Sequence, residues 1–309
     1  MALTMAGCGP KYTYPADSVA QSVEDLCVKD YNLKVTARLV GKTLGALYYV
    51  DDILDANGQI PREIHEQMGK IMQSVSRVSL STDRLLDFCV VVIRDKAHLN
   101  ELVITRSVDD TKRANSDAIG VEESINRTLF GQGKYQIAAG EEPKFVLKEM
   151  TIEEFLAEQI AQRIRFGFVK ESKDDDSQPP IVLVDGAFNP KDPAHVDRSF
   201  RFSVLSLKAE EPEETLKAVL HTIRDVLQGY DFHNYDKIEV LDYLNRQKLE
   251  FPREVMEAYQ QKKIDEQAIL SKYLSESQSI QEAFKLFGFN ITPDAADADA
   301  APPVAATTP

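Results

Sequence analysis

The spacing of apolar residues predicts a series of amphipathic helices along the chain. In residues 17–31 an apolar stripe recurs at i, i+4, i+7 and i+8, behind Asp17 or Ser18 as a cap. Pro61, which suits the first position of a helix, precedes a longer stripe. Thr151 and Glu154 have the spacing of a capping box, which predicts a helix through residue 164. Further helices are predicted at residues 117–130, 215–227 and 280–287, and a long one, with or without a break, at residues 252–273.

Alternating or continuous apolar runs predict strands between these helices. Residues 33–40 alternate apolar with polar side chains, and a turn at residues 41–43 leads into residues 44–50. Residues 85–93 are almost continuously apolar and rich in β-branched side chains, which is typical of a strand covered on both faces. The remaining predicted strands are residues 101–107, 181–184, 200–207 and 237–241.

This order of elements predicts an α+β fold with mixed or antiparallel sheets packed against amphipathic helices. Both halves follow the order α-β-β-α-β and then α, and the first half has one additional β before its last α. One interpretation is therefore a duplicated unit with two similar halves. We find no residue-level identity between the halves, and a single mixed domain is the alternative. The predicted segments are 1–16 (signal remnant and spacer), 17–135 and 136–291 (two α+β units) and 292–309 (a disordered tail).

Composition narrows the classes of function. The 309 residues carry 36 basic and 50 acidic side chains, for a net charge of −14. A phosphate backbone would repel so acidic a chain, so we expect no nucleic-acid partner. The 43% of hydrophobic residues is ordinary for a globular protein. No apolar run approaches the ~20 residues that a membrane-spanning helix needs.

The N-terminus contains the clearest motif. Seven small or apolar residues lead into Cys8, after which the sequence becomes polar and turn-forming. The tetrad Met5, Ala6, Gly7 and Cys8 resembles the lipobox of bacterial lipoproteins. In that family a peptidase cleaves before the cysteine, whose thiol carries a diacylglycerol and whose new amino group is usually acylated, commonly with palmitate.

The resemblance implies that Cys8 is the lipidation site and that a lipid anchor attaches the protein to a membrane of the bacterial cell envelope. The body would then face the periplasm. No Asp follows Cys8, which by the family's sorting habit favours the outer membrane. Because no Lys or Arg precedes Cys8, we expect the signal peptide to begin upstream of Met1. The alternative is a cytoplasmic protein in which this cysteine occurs by chance.

Two glycine-containing segments resemble ligand-binding loops only in part. Gly41, Lys42 and Thr43 match the end of a phosphate-binding loop, but Thr36 stands where that loop requires a glycine. Residues 55–60 match the middle of a calcium-binding loop. Its first and last ligand positions would be Ile53 and Ile64, which cannot bind a cation. We interpret both segments as turns.

The histidines and the other cysteines give no catalytic or metal motif. No two histidines lie within four residues of each other, so no zinc-binding pair is visible among His65, His98, His195, His221 and His233. Cys27 and Cys89 fall on predicted buried faces and are interpreted as core thiols. In an oxidising periplasm the two thiols are also candidates for a disulfide. We therefore assign no catalytic residue, no cofactor and no metal.

Two polar clusters are the first places to search for a ligand site. One is a predicted loop from Asp185 to Arg198, and the other runs from Arg106 to Arg113 at the end of a predicted strand. The leading hypothesis is a lipid-anchored envelope protein that acts as a binding or assembly module, with a protein partner in the envelope. The alternatives are a cytoplasmic enzyme or small-ligand-binding protein with scattered site residues, and an adaptor whose acidic loop at 171–180 and tail bind a basic partner.

Overall fold

The fold is described from a computed structural model that covers residues 13–136, 144–171, 181–191, 196–207, 212–243, 246–275 and 278–279. Several sequence-based predictions lie outside these described residues: the lipobox with Cys8, most of the acidic loop at 171–180, His195, the helix at 280–287 and the tail. The contacts divide the chain into unit 1, Met1–Arg163, and unit 2, Ile164–Pro309. The division falls inside a helix, whereas the sequence-based boundary lies at 135/136.

Unit 1 forms one mixed five-stranded sheet with helices on it. Its elements are α1 (Val19–Tyr31), β1 (Thr36–Val40), β2 (Thr43–Val50), α2 (Arg62–Leu80), β3 (Phe88–Asp95), β4 (Asn100–Ser107), α3 (Val108–Asn115), α4 (Val121–Asn126), β5 (Leu129–Lys134) and the first part of α5 (Ile152–Glu171). The sheet order is β1-β2-β3-β4-β5. Neighbouring strands are antiparallel except β2 and β3, which α2 connects as a parallel pair.

Both faces of the central strand β3 are buried, as its sequence predicts. The apolar stripes of α1 and α2 pack with Cys89, Val91 and Ile93 on one face. On the other face Val90 and Val92 pack against residues 144–150, which we call the cover segment. The capping box at the start of α5 is confirmed, because Glu154 N–H donates to the Thr151 hydroxyl at 3.2 Å.

Unit 2 contains a second mixed five-stranded sheet. Its elements after α5 are β6 (Ile181–Asn189), β7 (Ser199–Leu207), α6 (Pro212–Gly229), β8 (Lys237–Asp242), β9 (Gln247–Pro252), α7 (Arg253–Gln260), α8 (Glu266–Ser275) and β10 (Gln278–Ser279). The order is β10-β9-β8-β7-β6, and β7 and β8 form its parallel pair. The α+β class with mixed sheets and amphipathic helices is therefore confirmed.

The two units share one topology, element by element. Each runs helix, hairpin, crossover helix, hairpin, two helices and a last strand that pairs antiparallel with the preceding one. A residue-level correspondence accompanies it. The Lys42 carbonyl accepts from Asp87 N–H at 2.9 Å, and the Arg198 carbonyl accepts from Asp236 N–H at 2.8 Å. The side chains repeat the pairing: Lys42 forms an ion pair with Asp87 at 3.1 Å, and Arg198 with Asp236 at 2.9 Å.

The structure corrects two predicted elements and adds a strand that was not predicted. Residues 117–130 form the short helix α4 and the start of β5 rather than one helix, and β5 contains Gly131 and Gly133, which resemble a helix end in the sequence. The first residues of the loop predicted at 185–198 belong to β6, which extends to Asn189. Strand β9 was not predicted, because its polar residues contribute to an ion-pair network on the sheet.

Candidate functional site

A cavity of about 520 Å³ lies in unit 1 between α2 and the β4–β5 side of the sheet. Volumes of this size are typical of small-ligand sites. The α2 side contributes Gly69, Met72 and Ser76, and the sheet contributes Ile104 and Phe130. The cavity forms where the helical layer ends, since only the first residue of β5 is buried. We call it the Arg106 cavity, after the cation that lines it.

The guanidinium of Arg106 is held on one side only. Its Nε donates to the Thr128 hydroxyl at 3.0 Å, and that hydroxyl donates to the Ser124 carbonyl at 2.9 Å. Thr128 is 1% exposed, so the hydroxyl that supports Arg106 is buried. In the part of the chain that the structure describes, Nη1 and Nη2 of Arg106 have no hydrogen-bond or carboxylate partner, and both nitrogens remain available to a ligand.

No described neighbour neutralises Arg106. Burial lowers the pKa of Arg106, and among the described residues Cys89, its register partner on β3, is the ionisable group that opposes the shift. Burial raises the pKa of Cys89 to about 11, against smaller opposing effects of the Ser79 and Ser76 hydroxyls. At neutral pH the thiol is therefore uncharged. Among the described lining residues there is no carboxylate, and the second cation, Arg77, forms an ion pair with Asp30 at 3.4 Å.

The rest of the lining is mostly apolar and partly open. Met72 and Ile104 are buried, while Phe130 on β5 is 46% exposed at the cavity edge. Gly69 is in the middle of α2, and a Cβ placed there would meet no atom within 4 Å. A glycine inside a helix is less favourable than alanine by about 1 kcal/mol, so packing does not explain this residue.

Unit 2 shows that the topology does not require this cavity. The register of the hairpins makes Phe251 the equivalent of Arg106, because each lies opposite the second residue of the preceding strand. Phe251 is 1% exposed and packs against Tyr273 of α8, with ring centroids 5.1 Å apart. Helix α8 packs against α6 and β9, whereas the shorter α4 of unit 1 packs against α3.

The two partial loop motifs are turns. Gly41, with φ of 54°, forms the turn between β1 and β2, where a Cβ would collide with the Glu149 carboxylate. Asp55 accepts from the backbone N–H groups of Asn57 and Gln59 at 2.8 and 2.9 Å, so its carboxylate shapes the turn.

The described histidines pair with carboxylates or lie on the surface. His98 Nδ1 is 2.9 Å from the Asp52 carboxylate, and His221 is 2.9 Å from Asp225. His233 is 3.0 Å from Asp231, and His65 is exposed on α2. Within the described ranges no group of three or more His, Cys, Asp or Glu side chains is arranged to bind a metal. Nor is any helix of that part of the chain long and apolar enough to cross a membrane.

The structure tests the predictions for the two core cysteines and for the two polar clusters. Cys27 and Cys89 are buried and free, as predicted for core thiols. The Arg106–Arg113 cluster does contribute to a cavity, through Arg106 and Thr111. In the other cluster, the described ends have different surroundings: Asp185 borders a depression with Arg165 and Leu183, whereas Arg198 is paired with Asp236.

Sequence reasoning missed the α2 half of the cavity. Gly69 and Ser76 lie on a helix that was interpreted only through its buried apolar stripe. A glycine in the middle of so amphipathic a helix was the available signal, because glycine there needs a reason other than helix stability.

Comparisons with known proteins identify no family. No family model matches the chain, and no curated protein matches it. One solved structure, titled "Crystal structure of Sex pheromone staph-cAM373 precursor", aligns over 75% of this chain and 78% of that chain, with 10% sequence identity and a TM-score of 0.21. A TM-score this low carries no argument about fold or function.

Proposed function

We propose that this chain is a lipid-anchored protein of the bacterial cell envelope, attached to the membrane through Cys8, whose folded units form a periplasm-facing binding module. The observation that carries the anchor is the lipobox-like tetrad that ends at Cys8. The Arg106 cavity supports the binding role, because it offers, beside an apolar surface, a partly buried cation with no carboxylate partner among the described residues. An outer-membrane location and a protein partner in the envelope are part of the same proposal.

The first described residues, Thr13 and Tyr14, lie close in sequence to the proposed anchor at Cys8, and they are hydrogen-bonded to the end of α2. The backbone N–H groups of Thr13 and Tyr14 both donate to the Ser81 carbonyl, at 2.9 and 3.1 Å. Thr13 is five positions after Cys8, which limits the distance between their Cα atoms to about 18 Å. Ser81 also lines the Arg106 cavity. An anchor at Cys8 would therefore hold this cavity near the membrane surface.

Lipidation would make this attachment stable. One acyl chain gives only reversible membrane binding, whereas two or three chains add about 0.8 kcal/mol for each buried CH₂. A bilayer-anchored module with its cavity near the lipid headgroups would bind ligands at or close to the membrane.

Fractionation of bacterial cells tests the anchor. The gene is expressed with its native upstream sequence as the wild type, as Cys8→Ala, and as Thr4→Ala, a control outside the tetrad. The wild type and Thr4→Ala should sediment with membranes and dissolve in detergent, whereas Cys8→Ala should not be processed to the lipidated form. A wild-type protein in the cytoplasmic fraction would refute the anchor and favour a cytoplasmic ligand-binding protein, the second candidate, which the same cavity supports.

A further inference from the structure

We propose that the Arg106 cavity binds a ligand with one oxyanion group, a phosphate or a carboxylate, joined to an apolar body. This inference rests on the proposed binding role and adds the chemical class of the ligand. The oxyanion is held by Nη1 and Nη2 of Arg106, and the apolar body lies against Met72, Ile104 and Phe130.

The geometry of Arg106 favours an oxyanion. A guanidinium presents its N–H donors in a planar fork that matches two oxygens of a carboxylate or phosphate. The bond from Nε to Thr128 fixes the plane of this fork and leaves its terminal nitrogens for the ligand. The Thr128 hydroxyl is itself held by the Ser124 carbonyl, so the fork is oriented before any ligand arrives.

The charge of the site favours an anion over a neutral ligand. A partly buried cation without a counterion loses solvation that a bound anion restores. Cys89 is the residue opposite Arg106 on β3, and it is a neutral thiol at pH 7. The other described cation of the lining, Arg77, adds positive potential at the rim, although Asp30 offsets part of it.

The apolar part of the ligand follows from the comparison with unit 2. There the position of Arg106 is occupied by Phe251, and Tyr273 packs directly on it. In unit 1 no side chain of the described residues fills the corresponding space, and Ile104 and Phe130 line it. Ser81 lines this cavity, and its carbonyl accepts hydrogen bonds from Thr13 and Tyr14, which follow the proposed anchor. The cavity would therefore lie near the membrane, and two sources of ligand fit it: a phospholipid headgroup of that membrane or a free amphiphile.

The test uses the full chain with Cys8→Ser, titrated calorimetrically with octyl phosphate, octanoate and octanol. A hydrogen bond to a charged group contributes enough that the two anions should bind about ten- to a hundredfold more tightly than octanol. Arg106→Gln should remove this preference and leave octanol binding unchanged. Arg84→Gln, which removes an exposed arginine outside the cavity, should change nothing. Gly69→Phe should weaken binding of all three probes by filling the cavity from α2.

The outcomes separate the two proposals. Equal binding of octanol and the anions, or anion binding that survives both Arg106→Gln and Gly69→Phe, overturns the oxyanion site and leaves the lipid anchor untouched. Cosedimentation with phosphatidylglycerol vesicles distinguishes the sources. If Arg106→Gln weakens vesicle binding as well as octyl phosphate binding, the ligand is a lipid headgroup; if it weakens only octyl phosphate binding, the ligand is a free amphiphile.

Discussion

Arg106 in unit 1 and Phe251 in unit 2 occupy the same register position in two sheets of the same topology. Phe251 is covered by Tyr273, whereas Arg106 borders a cavity of about 520 Å³. One fold thus appears twice in the chain, once with this position closed by aromatic packing and once with it open around a cation. That difference marks unit 1 as the part of the described chain to examine for ligand binding.

Gly69→Ala should stabilise the protein by about 0.5–1 kcal/mol, because alanine is the better helix former and the added Cβ meets no atom within 4 Å. Gly58→Ala is the matched control. It too has open space, but its φ of 75° strains any side chain, so it should destabilise by about 1 kcal/mol. Urea unfolding followed by circular dichroism measures both, and equal effects of the two substitutions would contradict the account.

The Arg198–Asp236 pair should stabilise unit 2 in a pH-dependent way. Hydrogen bonds from the Arg198 side chain and backbone lower the pKa of Asp236 from 3.8 to about 2. Since the folded-state pKa is the lower one, the stabilisation is complete above about pH 5 and is lost as the pH falls toward 2. The stability difference between wild type and Asp236→Asn should shrink over that range. Asp83→Asn, at an exposed carboxylate, should show no such trend.

The two core thiols should be unreactive in the native protein. Burial raises the pKa of both Cys27 and Cys89, so little thiolate forms at pH 8. In a Cys8→Ser chain, Ellman's reagent should label no thiol under native conditions and two in denaturant. Two rapidly labelled native thiols would contradict the burial of these side chains, and none in denaturant would show a disulfide.

Asp110→Ala should destabilise unit 1 by about 3 kcal/mol, because it removes a carboxylate from a buried cation. The Arg127 side chain is 5% exposed and donates to Asp110 at 2.9 Å. Glu123→Gln is the control, since Glu123 is 36% exposed and glutamine retains an acceptor for Arg127. Urea denaturation should give a clearly larger loss for Asp110→Ala, and equal losses would show that burial does not set the importance of the pair.

Hydrophobic periodicity predicted the elements in which burial follows a regular pattern along the sequence. The stripe of α2 and the continuous run of β3 are examples, because one faces a core and the other is buried on both faces. Strand β9 escaped prediction because Lys248 and Glu250 are polar and are stabilised by partners on neighbouring strands. Such partners are close only in the folded sheet.

The candidate site could be predicted only in part for the same reason. Arg106 was in a cluster that the sequence singled out, since charges gather at the end of its strand. Its cavity is also lined by Gly69 of α2 and Phe130 of β5, which lie far from Arg106 in the sequence and meet it only in the folded unit. The equivalence with Phe251 became visible only through strand register.

The central claim, attachment through Cys8, is tested most directly by the mass of the N-terminal peptide after expression with the native upstream sequence. The account predicts a mature chain that begins at Cys8 and carries a diacylglycerol on its thiol, with or without an acyl group on its amino terminus. A peptide that still contains unmodified Met1 through Cys8 would contradict it.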